Sequence, residues 1–187
     1  RYREYAHYLA DRGVHVVAPD LRGHGLSDGR RGHVDDYGEY FLDVEEAKRY
    51  LIDGIPTTLL GHSNGGLIVL DYLSTSDRGF SSAILSNPYL GLALDVPAPK
   101  VWAGKFAGAV LPRLAMPSGL DADGLSHDKE IVKRYRRDPY VFSTVTAGWF
   151  RESSSAQGRV KAMASLPLPF MYMYSDSDPI ASPADNR

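Results

Sequence analysis

Apolar positions in the first ninety residues fall into short bursts that alternate between two periods. Tyr2, Tyr5, Ala6 and Leu9 recur at helical spacing across 1–12, and Gly13 supplies the stop. Val14–Ala18 (VHVVA) is β-branched, ends at Pro19 and predicts a buried strand. After a Gly- and Arg-rich loop at 20–32, Tyr37, Tyr40, Phe41, Val44, Ala47 and Leu51 trace one face of a second helix, which ends before Gly54-Ile55-Pro56. Thr57–Leu60 predicts a short strand, a breaker-free apolar run from Asn64 a third helix, and Ser82–Leu85 another strand stopped by Asn87-Pro88. Short apolar strands alternating with helices predict an α/β fold, a mostly parallel sheet with helices on both faces.

From Leu90 the rhythm changes. Residues 90–166 show helical stretches broken by Pro97, Pro99, Pro112, Pro117 and Pro139, and no strand. Strand character returns at Pro169–Tyr174, PFMYMY. The expected organisation is therefore a first part of the core at 1–89, a helical cap inserted at 90–166, and the core's return strand and following loop at 167–187. An insertion so placed lies over the carboxyl edge of the sheet, where open α/β sheets bind ligands.

Composition narrows the classes. The chain has 187 residues, 43% hydrophobic and 24% charged, which is ordinary globular composition. With 21 basic and 23 acidic residues the net charge is −2, so there is no electrostatic footprint for nucleic acid. Without cysteine there is neither a disulfide frame nor a thiolate metal site. No apolar run reaches the ~18 residues of a membrane span. No cluster of metal ligands stands out, and neither metal nor cofactor is expected.

The chemistry concentrates at Gly61-His62-Ser63-Asn64-Gly65, which fits the G-x-S-x-G nucleophile elbow between a strand and a helix. A serine forced into that sharp turn takes a strained backbone, and its hydroxyl stands clear of the sheet. Residues two before and two after it crowd one another, so glycine is expected at Gly61 and Gly65 for steric reasons. The Asn64 amide then sits at the helix N-terminus, where it can donate to a developing oxyanion. His62 belongs to the turn and is expected to point away from Ser63.

Several blocks in order resemble the α/β-hydrolase superfamily, and within it the monoacylglycerol lipase and lysophospholipase-like branch, often labelled serine-aminopeptidase-like. They are Val16–Asp28 (VVAPDLRGHGLSD), Gly32-His33-Val34 with Asp36-Tyr37, the GHSNGG elbow, Asn87-Pro88-Tyr89-Leu90, and Tyr174–Ile180 (YSDSDPI). The resemblance implies Ser63 as nucleophile, the Asn64 amide as half of the oxyanion hole, and Asp178 as the acid that orients the base. Asp176 is the rival acid, and plain turn chemistry after a strand is the other reading of both aspartates. Ser175 departs from the family pattern, which has Gly there. In the superfamily order the base is a histidine after the acid. The six histidines are His7, His15, His24, His33, His62 and His127, and none follows Asp178. The second oxyanion donor belongs to a loop that would precede residue 1. The expectation is a fragment of a longer hydrolase, lacking both ends and inactive by itself.

The resemblance implies a serine hydrolase of carboxylic esters, monoacylglycerol- or lysophospholipid-like, acting through an acyl-enzyme on Ser63; a small-peptide, aminopeptidase-like hydrolase and a non-catalytic binding protein of the same fold are the alternatives. Dehalogenase and epoxide hydrolase chemistry would want a carboxylate where Ser63 stands. Trp102, Phe106 and Val110 at i, i+4, i+8 either line a groove for an acyl chain or pack the cap onto the core. Lys133–Arg137 (KRYRR), after Ser126 and Asp128 as candidate caps, either meets an anionic head group or membrane surface or, the preferred reading, is a solvated helix face; Trp149 and Phe150 read as cap core. The expected partner is a small ester or lipid-like substrate, with cytoplasm as the default compartment.

Overall fold

Of the four predicted core strands, three form. The computed structural model describes residues 2–93 and 96–187, which leaves Arg1 of the first predicted helix outside. Strands β1 (Thr58–His62), β2 (Ser82–Ser86) and β5 (Phe170–Met173) make one parallel sheet in the order β1-β2-β5. The register sets His62 beside Ser86 and Ser86 beside Met173, so all three strands end at one carboxyl edge. The predicted strand at Val14–Ala18 does not form: this stretch carries no ladder, and Val14 is half-exposed. A β-branched run becomes a strand only when a neighbour supplies hydrogen bonds. Among the described residues β1 pairs on one edge only, with β2.

Helices flank the sheet. Helix α2 (Glu39–Lys48) and helix α3 (Asn64–Tyr72) are the second and third predicted helices. Alternation along the strands puts Gly61, Ala83 and Leu85 on the face that α3 covers, all of them buried. Leu67, Ile68, Val69, Leu70, Tyr72 and Leu73 are buried almost completely, so α3 is the most interior helix of the fold. Each such side chain contributes about 1.5–3 kcal/mol of transfer free energy. Helix α1 (Arg3–Ala10) reaches the other face through Tyr2, whose ring meets His62 edge-on at 6.5 Å. Leu60, Met171 and Met173 on that face remain exposed.

Between β2 and β5 lie α4 (Ala98–Val110), a 3-10 turn at Ala122–Leu125, α5 (Lys129–Arg137) and α6 (Ala147–Lys161). A two-stranded antiparallel ribbon, β3 (Ala115–Pro117) with β4 (Thr144–Thr146), joins them where no strand was expected. Three-residue strands are too short to show a period. Asp128 caps α5 by accepting from the Glu130 amide at 2.8 Å. Thr146 caps α6 by accepting from the Trp149 amide at 3.2 Å. Helix α6 packs on α3 and places Ala156 and Val160 in the same apolar cluster, so this part of the 90–166 segment belongs to the core. Trp149 joins in, with its indole N–H donating to Tyr40 Oη at 3.1 Å and its ring stacked on Tyr89. The short α7 (Pro183–Asn186) closes the chain.

Candidate active site

Ser63 stands between β1 and α3 with φ 54° and ψ −121°, a backbone conformation that non-glycine residues avoid. The surrounding hydrogen bonds impose it. The Ser63 amide donates to Ser86 O on β2 at 3.1 Å, and the Ser63 carbonyl accepts from the Leu67 amide at 3.1 Å and the Tyr89 amide at 3.0 Å. Strand, helix and the segment after β2 are thus tied to one peptide. The Ser63 hydroxyl makes no hydrogen bond to any described residue, and neither does the Asn64 amide at the first position of α3. A nucleophile and an oxyanion donor are needed in that state, side by side at a helix N-terminus.

The steric argument for glycine holds at Gly61 and moves at its partner. A Cβ on Gly61 would lie 2.5 Å from the Gly65 carbonyl oxygen and 2.8 Å from Gly66 Cα. A Cβ on Gly65 would meet nothing within 4 Å, whereas one on Gly66 would press on Pro88 at 3.0 Å. The second close approach of the elbow is therefore at Gly66, one residue later than expected. His62 follows the strand alternation to the opposite face, where it meets Ser86 Oγ at 3.2 Å.

Asp178 lies in the loop after β5 with both carboxylate oxygens hydrogen-bonded. Oδ1 accepts from the amides of Ile180 at 2.8 Å and Ala181 at 3.0 Å, and Oδ2 accepts from Asn87 Nδ2 at 2.6 Å. Asp176, by contrast, is exposed and pairs with Arg187 at 3.1 Å. The two rivals are thus placed differently: one is aimed and held, the other is a surface ion pair. Since β1 and β5 flank β2, the elbow and the Asp178 loop leave the same edge about 10 Å apart.

Asn87 entered the sequence reasoning as a strand stop and as part of a resemblance block, with no role for its side chain. It sits at the end of β2 with φ 41°, tolerable for asparagine. Its side chain donates to Asp178 and accepts from the Ser175 amide at 2.9 Å, and its own amide donates to Met173 O at 2.8 Å. It thereby clamps the turn in which Ser175 replaces the expected glycine. The Asn-Pro pair was the available signal, since an asparagine before proline at a strand end often turns its side chain onto nearby backbone.

Behind the elbow lies a buried polar cluster. Tyr37 Oη donates to Asn64 Oδ1 at 2.8 Å, and Tyr37 is fully buried. Burial pushes its phenol well above the ordinary range and raises Tyr40 to about 12. Asp71 on α3, 3% exposed, receives a two-pronged bond from Arg159 of α6, with Nε to Oδ1 at 2.9 Å and Nη2 to Oδ2 at 2.6 Å. Arg22 in the RGHG loop pairs with Asp43 and Glu39, which pins that loop to α2. Gly23 and Gly25 there have positive φ, so the loop's glycines serve its turn.

No histidine among the described residues bonds to Ser63 or Asp178. His15 meets Tyr50 O, His24 meets Arg22 O, and His33 lies between Thr146 Oγ1 and Asp35. His7 and His127 are not in the site either: they sit on α1 and before α5, respectively. Trp102 and Phe106 are 74% and 69% exposed on the side of α4 opposite Gly104 and Gly108, which touch Phe150 and Ala147 of α6. They do not pack the inserted helices onto the core. Among the described residues no cluster of His, Asp or Glu could hold a metal ion, and no helix is long and apolar enough to cross a membrane.

Comparison with known proteins follows the same lines. The family model described as Hydrolase_4, serine aminopeptidase, S33, matches residues 1–187. Phospholipase YtpA of Bacillus subtilis is 31% identical over 155 residues, covering 81% of this chain and 60% of the relative. Monoacylglycerol lipase of Mycolicibacterium smegmatis is 35% identical over 144 residues, covering 75% of this chain and 51% of the relative. The crystal structure of the monoacylglycerol lipase of Paleococcus ferrophilus superposes with a TM-score of 0.90 at 30% identity, over 100% of this chain and 72% of that one. The chain thus spans between half and three-fifths of the length of the two curated relatives.

Proposed function

The chain belongs to the Hydrolase_4 (serine aminopeptidase, S33) family of α/β-hydrolases, and from that premise we propose that it carries the nucleophile and the acid of a serine hydrolase that cleaves carboxylic esters of monoacylglycerol or lysophospholipid type. The observation that carries the reading is Ser63: a strained residue with an unengaged hydroxyl, beside an unengaged amide at a helix N-terminus. The relatives described as lipases and phospholipases support an ester of glycerol-lipid kind over a peptide bond.

In the proposed reaction Ser63 Oγ attacks the ester carbonyl as a base removes its proton. The carbonyl oxygen takes the negative charge and is met by the Asn64 amide in the positive end of α3. Collapse expels the alcohol and leaves an acyl-Ser63, which water then hydrolyses. Asp178, held by Ile180, Ala181 and Asn87, orients the base and stabilises its charged form. We assign the base to a histidine, and the second oxyanion amide to a loop, outside these 187 residues in a protein of the relatives' length. The 187 residues alone are then inactive. Residues 90–146 are the proposed cap, with α6 as the core helix behind it, and the exposed Trp102 and Phe106 are its proposed contacts for an acyl chain.

The test is Ser63→Ala in the full-length protein, assayed on monoacylglycerol and p-nitrophenyl esters. Turnover should fall at least about 10³-fold. Retained hydrolysis would remove the assignment. A wild-type protein that binds such esters without turning them over would favour the non-catalytic reading.

A further inference from the structure

We propose that Tyr37 is a positioning residue for the oxyanion site, acting through the side chain of Asn64; the inference rests on the serine-hydrolase reading. The Asn64 N–H belongs to the Ser63–Asn64 peptide, and its direction is set by the rotation of that peptide plane. At the carbonyl end two amides hold the plane, those of Leu67 and Tyr89. At the other end the Asn64 Cα is held by its own carboxamide, whose Oδ1 accepts from Tyr37 Oη at 2.8 Å. Tyr37 cannot drift. It is fully buried, meets Tyr40 edge-on at a 5.3 Å ring distance, and precedes α2, which the Arg22 ion pairs fasten from outside.

Packing alone would be served equally well by phenylalanine, and a helix N1 position by many residues. A phenol aimed at the first side chain after the nucleophile adds one thing, a fixed direction for Asn64. Without it, the half-buried carboxamide loses its acceptor's partner and is free to turn toward the neighbouring hydroxyl of Ser63. The donor N–H would then sample orientations away from the developing oxyanion. Such an effect falls on the transition state, since the charge it meets exists only there. Substrate binding should be left alone.

The experiment uses the full-length protein as wild type, Tyr37→Phe, Asn64→Leu and the double variant. Active sites are titrated with a fluorophosphonate, and kcat and KM are measured with p-nitrophenyl butyrate. Each single variant should lower kcat and the fluorophosphonate labelling rate about tenfold with KM within about twofold. The double variant should lose about as much as either single one, because both remove the same link. Wild-type kcat in Tyr37→Phe would overturn the proposal. So would losses that multiply in the double variant, or a loss that vanishes when rates are taken per titrated site. If wild type is not labelled at all, the serine-hydrolase reading fails and takes this proposal with it; labelled wild type with unaffected variants overturns the role of Tyr37 alone.

Discussion

Replacing Arg159 by methionine removes the partner of the most deeply buried carboxylate among the described residues. Asp71 is 3% exposed, lies on the helix that carries the elbow, and has both oxygens bonded to Arg159. Breaking a buried pair from one side typically costs about 3–5 kcal/mol, because the remaining charge is left without compensation. The Arg159 side chain is itself 50% exposed, so water can reach part of the site once it is truncated. That screening brings the expected loss down to about 2 kcal/mol. For a domain of this size, the loss corresponds to a fall in Tm of about 4–8 °C. Asp71→Asn keeps a hydrogen bond to the guanidinium and should lose about 1 kcal/mol. The double variant Arg159→Met with Asp71→Leu should return to within about 1 kcal/mol of wild type, since an apolar pair replaces an ionic one. Urea unfolding at constant m value measures all three. An Arg159→Met variant within about 0.5 kcal/mol of wild type would refute the claim that α6 is locked to α3 by this pair.

Other consequences follow from the same geometry. Gly61→Ala would drive a methyl group to 2.5 Å from the Gly65 carbonyl oxygen, so ester turnover and fluorophosphonate labelling should both be lost. Gly65→Ala meets no neighbour and should keep labelling within about threefold of wild type, which a stopped labelling assay reads directly. Asp178→Asn should lower kcat about 10³–10⁴-fold, and Asp176→Asn less than about twofold, measured as steady-state ester hydrolysis. The hydrogen bond from Tyr72 holds Glu45 below its ordinary pKa of 4.5. A depressed carboxylate contributes stability that is present above about pH 4.5 and lost as pH falls through the folded-state value. Tyr72→Phe should therefore flatten the fall of Tm between about pH 5 and 3; an unchanged acid slope would contradict the pairing.

Much of the fold was legible because its signals are local. The elbow showed itself as five residues whose spacing has a steric cause, and the strand at Ser82–Ser86 and the helix at Asn64–Tyr72 formed where their apolar runs placed them. What was not legible depends on partners. Val14–Ala18 has strand composition but no ladder, because pairing is a property of two segments. The assignment of α6 to the core comes from Ala156, Val160 and Arg159 reaching α3, and its sequence reads like that of any amphipathic helix. The hydrogen-bonding roles of Asn87 and Tyr37 were not read for the same reason. Asn87 reaches Asp178, 91 positions away, and Tyr37 reaches Asn64, 27 positions away, by side-chain hydrogen bonds that no spacing rule encodes. The shift of close approach from Gly65 to Gly66 came from Pro88, a residue of another strand's end.

The central claim is that Ser63 is an activated nucleophile, and covalent labelling tests it most directly. The full-length protein would be treated with a fluorophosphonate, digested, and its adduct located by mass spectrometry. The account predicts a single phosphonylated site at Ser63, absent from the Ser63→Ala variant and strongly slowed in Asp178→Asn. An unlabelled Ser63 in a folded protein, or an adduct on another residue, would contradict it.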